Sequence, residues 1–289
     1  MPELPEVEVV KRSLKSKIQN LLIKRVVIKD KNLRYKIIKE ESSKLYGLKI
    51  IKIERRSKYL LFFFNKPIVM LVHLGMTGKF FFVNHKNKKF KTSFYYNLDN
   101  TKDDKHNHVI IYFKNDKKLI YNDVRKFGFI KFLDFKNHRE NFHLKNLGPE
   151  PLTEKYNFKY FKIYIERRSR SIKDILMDQK FVSGLGNIYV NEILFFSKIN
   201  PSRKVKTLND NEINKIIFYS KKILKDAIKF GGSSIKDFSS IDGKQGAFQG
   251  NFKVYGKKGK NCSNSDCNSF IKKIVLSNRA SFYCPNCQK

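Results

Sequence analysis

From residue 21 to residue 135 the apolar residues come in short runs separated by Asn, Asp, Lys and Gly. The runs Val26–Ile28, Leu48–Ile53, Tyr59–Phe64, Ile68–Val72, Phe80–Val83, Val109–Phe113, Lys118–Tyr121 and Phe129–Leu133 have strand length and are rich in β-branched and aromatic residues. Such a series predicts an antiparallel sandwich or barrel. Residues 84–105 are dominated by Lys, Asn and Asp and predict a long surface loop. Ahead of the strands, Val7, Val10, Leu14 and Ile18 recur at spacings of three and four, one face of a helix. Pro5 suits the first position of that helix, and Glu6 and Glu8 suit its first turn.

The period changes at Leu147–Leu152, where two prolines and a glycine fall together and predict a domain boundary. Beyond it the spacing is helical over Phe158–Glu166, Ile172–Met177, Ile188–Phe196 and Asp210–Phe230. A polar, Gly-bearing stretch, Gly231–Asn251, then leads to the cysteine-bearing tail. A chain of 289 residues is long enough for two domains with separate cores.

Charge narrows the choice of partner. Sixty-one Lys and Arg stand against 26 Asp and Glu, a formal net charge of +35. A Lys-, Asn-, Ile- and Phe-rich composition has the stamp of a low-GC genome, yet that bias does not explain why acidic residues fail to balance the lysines. So large an excess draws polyanions through counterion release, and nucleic acid is the expected partner. A membrane span is not expected, because no run of about 18 apolar residues occurs. The N-terminus lacks the apolar core of a secretory signal, so the expected location is the cytoplasm.

All four cysteines lie near the C-terminus as a C-x4-C pair, Cys262 and Cys267, and a C-x2-C pair, Cys284 and Cys287. Clustered pairs in a cytosolic chain predict one structural zinc ion in place of a core that so short a segment cannot build. Between the pairs, Phe270–Leu276 and Ala280–Tyr283 read as two strands joined by Ser277-Asn278-Arg279. Arg279 at the tip of a stapled hairpin suits a phosphate or a DNA groove.

The chain begins Met1-Pro2-Glu3-Leu4-Pro5-Glu6-Val7-Glu8. Removal of Met1 leaves Pro2 with a free imino group. A chain-end amine titrates near ~7.7–8.0, against ~10.4 for lysine, so much more of it is neutral and nucleophilic at physiological pH. A secondary amine added to an aldehyde carbon gives a cationic iminium, an electron sink for elimination. Glu3 beside it is placed to move protons.

These ends, with Arg55–Leu60, His73–Gly78, Asp123–Gly128, Leu147–Leu152, Gly184–Tyr189, Gly246–Gln249 and Val254–Gly256, give a chain that resembles the formamidopyrimidine-DNA glycosylases nearly end to end. The resemblance implies an α+β chain: an N-terminal antiparallel β-sandwich with flanking helices over residues 1–146, and a helix–two-turn–helix domain over 147–250. A four-cysteine zinc β-hairpin over 251–289 completes it. It implies base-excision repair of oxidised purines in duplex DNA, with Pro2 as nucleophile, Glu3 as general acid/base, Glu6 in support, and β,δ-elimination after base loss. Lys58 (counted with Pro2 and Glu3 in the implied catalytic set), His73, Asn187 and Arg279 are implied to grip phosphates, and Lys173 and Lys236 to lie near the DNA. Met76, Arg125 and Phe127 are implied to fill the gap left by the everted nucleotide, and residues about 231–252 to close over it. A monomer suits such a clamp. His106 and His108 lie near no carboxylate or cysteine that would make them metal ligands. Two alternatives are an endonuclease VIII-type enzyme for oxidised pyrimidines, whose N-terminus usually has Gly where Leu4 stands, and a non-catalytic zinc protein that binds nucleic acid.

Overall fold

The computed structural model describes residues 1–84, 89–91, 104–114, 116–233 and 248–289. The chain divides into two compact units: residues 1–145 with 230–249, and residues 146–229 with 250–289. The division at 145/146 lies beside the boundary expected at Leu147–Leu152. Backbone and side-chain bonds from Ser233 to Glu6 tie the residues after Lys229 to the first unit. Residues 250–289, the cysteine-bearing tail, group with residues 146–229.

The first unit opens with α1 (Leu4–Ile18), whose Val7, Val10, Leu14 and Ile18 are all buried. Two antiparallel sheets follow. One has β1 (Ile23–Ile28), β7 (Asn107–Phe113), β8 (Lys118–Asn122), β5 (Lys79–Val83) and β6 (Lys89–Lys91), in that spatial order. The other has β2 (Ile50–Arg56), β3 (Tyr59–Phe64), β4 (Ile68–His73) and β9 (Phe129–Asp134), also in spatial order. Alternation assigns the faces. Phe62 and Phe64 of β3, Phe80 and Phe82 of β5, and Ile111 and Phe113 of β7 share one buried cluster with the apolar face of α1. Phe81, Val83, Ile110 and Ile120 form a separate buried cluster on the opposite face of the five-stranded sheet. The expected strands are therefore present as a sandwich. Two elements lack a sequence signal: the short helix α2 (Lys39–Ser43), and β6, which falls within the expected 84–105 loop. Of that loop, residues 85–88 and 92–103 lie outside the described residues.

The second unit contains α3 (Phe158–Ile165), α4 (Ile172–Met177), α5 (Asn187–Phe196) and α6 (Asp210–Lys229), close to the helices expected from spacing. α3 and α4 begin at side-chain caps: Asn157 accepts from the Tyr160 N–H, and Ser171 from the Asp174 N–H. The tail carries β10 (Lys272–Leu276) and β11 (Arg279–Tyr283), paired antiparallel. Among the described residues no helix is long and apolar enough to cross a membrane.

Candidate active site and nucleic-acid interface

The chain end is built into the first unit. Pro2 and Glu3 are buried, and Glu3 is the N-cap of α1. A capping box ties Glu3 to Glu6, with the Glu3 N–H donating to Glu6 Oε2 at 2.9 Å. The other oxygen, Glu6 Oε1, accepts from the Ser233 N–H at 2.8 Å and the Ser233 hydroxyl at 2.9 Å. Glu6 is fully buried, so its carboxylate fixes the backbone on which Pro2 and Glu3 sit. Replacing Glu6 by Ala removes the acceptor for three donors. It is expected to destabilise the first unit by about 2–3 kcal/mol in urea unfolding.

Burial lowers the amine pKa at Met1 below the ordinary 8.0; Glu3 opposes that shift, Lys58 adds to it, Glu6 opposes it and Arg125 adds to it. Two cations and two carboxylates thus surround the chain end. Lys58 sits in the tight turn between β2 and β3, beside Ser57 at φ +55°, and is buried. Arg55, one turn of the pleat earlier, donates to Glu8 of α1 at 3.0 Å, which docks this hairpin against the helix start.

His73 ends β4 and stacks on Phe129 with ring centres 5.6 Å apart. Its Nδ1 accepts from the Gly75 N–H at 3.0 Å, so the ring proton sits on Nε2 and that nitrogen donates. Burial first, then the positive charges of Lys58 and Arg34 and the neighbouring His143, push its pKa down from 6.5 to about 3. His73 is therefore a neutral donor across the physiological range. The sign of its linkage follows: the unfolded chain takes up a proton below 6.5 and the folded chain does not, so stability falls as pH drops from 6.5 towards 3. His73→Gln is expected to flatten that part of the stability–pH curve, and ring nitrogen shifts should show no titration of His73 above pH ~4.

Met76 is exposed at the tip of the turn between β4 and β5, and Phe127 is exposed in the loop between β8 and β9. Arg125, also exposed, lies over the Phe127 ring with its guanidinium carbon 4.6 Å from the centroid. Both loops cross between the sheets: β4 and β9 belong to the four-stranded sheet, β5 and β8 to the five-stranded one.

In the second unit Asn187 is the first residue of α5, with Gly186 as N-cap, so its side chain does not cap. It donates instead to the Ala280 carbonyl at 3.0 Å. The same carbonyl accepts from Lys173 Nζ at 2.9 Å, and Lys173 also donates to the Ser281 hydroxyl at 2.6 Å. Lys173 is buried, its charge spent on holding the hairpin rather than pointing to solvent. Arg279 opens β11 opposite Leu276, and the turn is Ser277-Asn278 with φ +47° and +60°. Two successive positive φ values define the hairpin turn whose twist matches the strands. Arg279 is exposed one residue from the Ala280 anchor. Lys236 lies outside the described residues, as do residues 234–247 of the segment expected to close over the base.

The four cysteine sulfurs lie within 4.8 Å of one another, the one such metal-ligand cluster found among the described residues. Cys262 and Cys287 sulfurs are 3.8 Å apart, and those of Cys267 and Cys284 are 3.6 Å apart. Four thiolates at the Zn–S length of about 2.3 Å put the edges of the tetrahedron near ~3.8 Å, so the cluster has the size of a metal centre. Asn264 Nδ2 donates to Cys287 at 3.1 Å and Asn286 Nδ2 to Cys267 at 3.4 Å, which orients the thiolates. The longer C-x4-C loop still closes, the Cys267 N–H bonding to the Asn264 carbonyl at 3.2 Å. His108 Nε2 lies 2.8 Å from the Asp123 carbonyl, and its Nδ1 lies 3.8 Å from the Asp30 carboxylate, a neighbour brought in from the end of β1 that the local sequence does not show.

Some residues that organise the site carry no motif signal. Glu192 on α5 is buried and accepts from the Lys253, Val254 and Tyr255 N–H groups at 2.8–3.0 Å, fixing the chain where it returns to the second unit. Burial raises its carboxyl pKa against the pull of those donors. A lone acid in an apolar helix was the one available clue.

Residues 1–130 match the formamidopyrimidine-DNA glycosylase N-terminal domain, and residues 147–239 match the formamidopyrimidine-DNA glycosylase H2TH domain. The chain is similar to the formamidopyrimidine-DNA glycosylases of Rickettsia bellii, 40% identical over all of both chains, and of Roseobacter denitrificans, 36% identical over all of both. Among solved structures it is similar to Lactococcus lactis Fpg in complex with abasic-site DNA, with a TM-score of 0.86, 34% identity and 99% of each chain covered. A Lactococcus lactis Fpg variant in complex with Fapy-dG DNA matches with the same TM-score and identity over 100% of both chains. Full-length identity, two matched domains and a shared fold agree, and the chain belongs to the formamidopyrimidine-DNA glycosylase family.

Proposed function

We propose that the protein is a base-excision-repair DNA glycosylase with abasic-site lyase activity that removes oxidised purines from duplex DNA. The single observation that carries this reading is the chain end: Pro2 and Glu3 are buried at the head of α1, beside a Met1 amine whose pKa is lowered by burial first and then by Lys58 and Arg125. An imino acid in that position keeps a free lone pair near neutral pH. With Met1 in place the Pro2 nitrogen is an amide, so removal of Met1 is the activating event.

The imino nitrogen attacks C1′ of the damaged nucleotide, and the glycosidic electron pair leaves with the base. The opened sugar is then held as a cationic iminium. Loss of the C2′ proton expels the 3′ phosphate, and a second elimination expels the 5′ phosphate. Glu3 delivers a proton to the sugar ring oxygen and receives one in the eliminations. Lys58 and neutral His73 donate to phosphate in the first unit, and Asn187 and Arg279 in the second. For Lys173 the geometry favours support of the hairpin over direct contact. Met76, Arg125 and Phe127 occupy the gap in the duplex: a soft wedge, a donor for the orphaned cytosine, and a flat ring between bases. No metal takes part in this chemistry. Zinc on Cys262, Cys267, Cys284 and Cys287 stabilises the hairpin that carries Arg279. The protein acts as a cytoplasmic monomer on damaged double-stranded DNA.

The test compares single-turnover excision from duplexes carrying 8-oxoguanine opposite cytosine with duplexes carrying an oxidised pyrimidine. Faster excision of the purine is expected. Preference for the pyrimidine assigns the chain to endonuclease VIII-type work, and absence of excision from both leaves a binding protein.

A further inference from the structure

The two loops that carry Met76, Arg125 and Phe127 come from different strand pairs, yet they meet on one buried carboxylate that the chemistry above does not use. Asp123 is completely buried, at the base of the exposed run Val124–Phe127. Its Oδ2 accepts from the Gly128 N–H at 2.8 Å, which closes the β8–β9 loop across its own neck. Its Oδ1 accepts from the Thr77 hydroxyl, in the turn that carries Met76. Thr77 Oγ1 in turn accepts from the Arg125 N–H at 3.0 Å. The chain of bonds therefore runs from the Arg125 backbone through Thr77 to Asp123, and crosses from one loop to the other.

Backbone packing makes the same junction rigid. Gly75 has φ +62°, and a Cβ there would meet the Gly128 nitrogen and lie 2.8 Å from the Phe127 carbonyl oxygen. A Cβ on Gly128 would lie 2.6 Å from the His73 carbonyl oxygen. The turns touch main chain to main chain, and neither admits a side chain. Behind them the Asp123 carbonyl bonds His108 Nε2 at 2.8 Å, which secures Asp123 to β7. Nothing at the junction is exposed except the three side chains at the tips and their immediate neighbours.

We propose that Asp123 is the positioning residue of the wedge: with Thr77 it sets the Met76 turn and the Arg125–Phe127 loop in one register, so the three side chains enter the duplex as a unit. The proposal rests on the glycosylase reading. Asp123 is the shared acceptor of three donors: the Thr77 hydroxyl on Oδ1, and the Gly128 N–H and, at 3.4 Å, the Tyr121 hydroxyl on Oδ2. Asn replaces one acceptor oxygen by an NH2: towards Gly128 it faces an N–H donor and loses that bond, and towards Thr77 it reverses the bond and leaves the Thr77 hydroxyl proton without its acceptor.

The discriminating experiment uses two substrates. Excision of 8-oxoguanine from a duplex needs the wedge, because eversion leaves a hole opposite cytosine. Cleavage of a preformed abasic site in a single strand has no hole to fill and reads the chain-end chemistry alone. Asp123→Asn is expected to slow single-turnover excision from the duplex by about 100-fold, the scale of a displacement near 1 Å, while leaving single-strand abasic cleavage within about twofold of the parent. The preference for cytosine over adenine opposite the lesion is expected to shrink with it. Thr77→Val, which deletes the relay hydroxyl and leaves Asp123 in place, should give the same pattern, and Thr77→Ser should restore it. Equal losses on both substrates would reduce Asp123 to general stability, and no loss on the duplex would remove it from the wedge. If Asp123→Asn does not fold, the Thr77 pair decides alone. Inactivity of the parent protein on both substrates would instead overturn the glycosylase reading, and the proposal with it.

Discussion

Glu3→Gln is expected to lower base excision by about 10²- to 10⁴-fold with little change in fold or DNA affinity. The substitution keeps the shape of the side chain and leaves a carbonyl oxygen to complete the capping box with Glu6, so α1 still begins where it does. What it removes is the exchangeable proton. Glu3 is buried beside the chain end, where water cannot take over proton transfer at comparable rate. Pro2→Gly tests the neighbouring group. A primary amine forms a neutral imine that must gain a proton before it draws electrons from C2′, whereas the proline adduct is cationic from the start. Strand nicking at abasic sites should fall sharply in Pro2→Gly, measured under single-turnover conditions. Undiminished nicking by both variants would remove the chain end from the mechanism.

The second large effect concerns the tail. Cys284 is fully buried, and its sulfur lies 3.6 Å from that of Cys267. A structural zinc site contributes about 10–16 kcal/mol of apparent binding free energy, comparable to the whole stability of a domain. Cys284→Ser is therefore expected to release the metal and unfold the hairpin. Its loss frees the Ala280 carbonyl from Asn187 and Lys173, and leaves the buried Lys173 ammonium without that partner. DNA binding should collapse at physiological salt. The first unit has its own core between its sheets, and hydrogen exchange in β3, β4 and β8 should stay near the parent level. Zinc content by atomic emission, a duplex titration and an exchange map read the three outcomes; retained metal or retained affinity in Cys284→Ser contradicts the assignment.

Much of this architecture could be read from the sequence because the central strands are short apolar runs buried almost without a break. β3 and β5 were recognisable from their Phe-rich runs, and α1 from one apolar stripe. β6 was not, because Lys89-Phe90-Lys91 is short and sits among polar residues, and its pairing partner β5 supplies the order. The cysteine spacing pointed to a metal cluster, and the sulfurs do converge. Lys173 shows the limit of reading charge from sequence. Its ammonium is turned inward by a carbonyl 107 residues away, a contact no local pattern encodes. Asp123 was visible only as part of a motif, since the Thr77 hydroxyl that gives it meaning lies 46 residues earlier. Ser233 reaches Glu6 across 227 residues, a pairing that no local pattern encodes. Local spacing specifies elements; the polar contacts that aim a site are made between elements.

The most direct measurement is a reductive trap. Borohydride added during reaction with a duplex containing 8-oxoguanine opposite cytosine delivers hydride to the iminium carbon and leaves a stable tertiary amine. Proteolysis and mass spectrometry then locate the sugar remnant. The account predicts that remnant on the N-terminal peptide, on the nitrogen of Pro2, in molecules that have lost Met1. A remnant on an interior lysine such as Lys58, or on a peptide still carrying Met1, contradicts it.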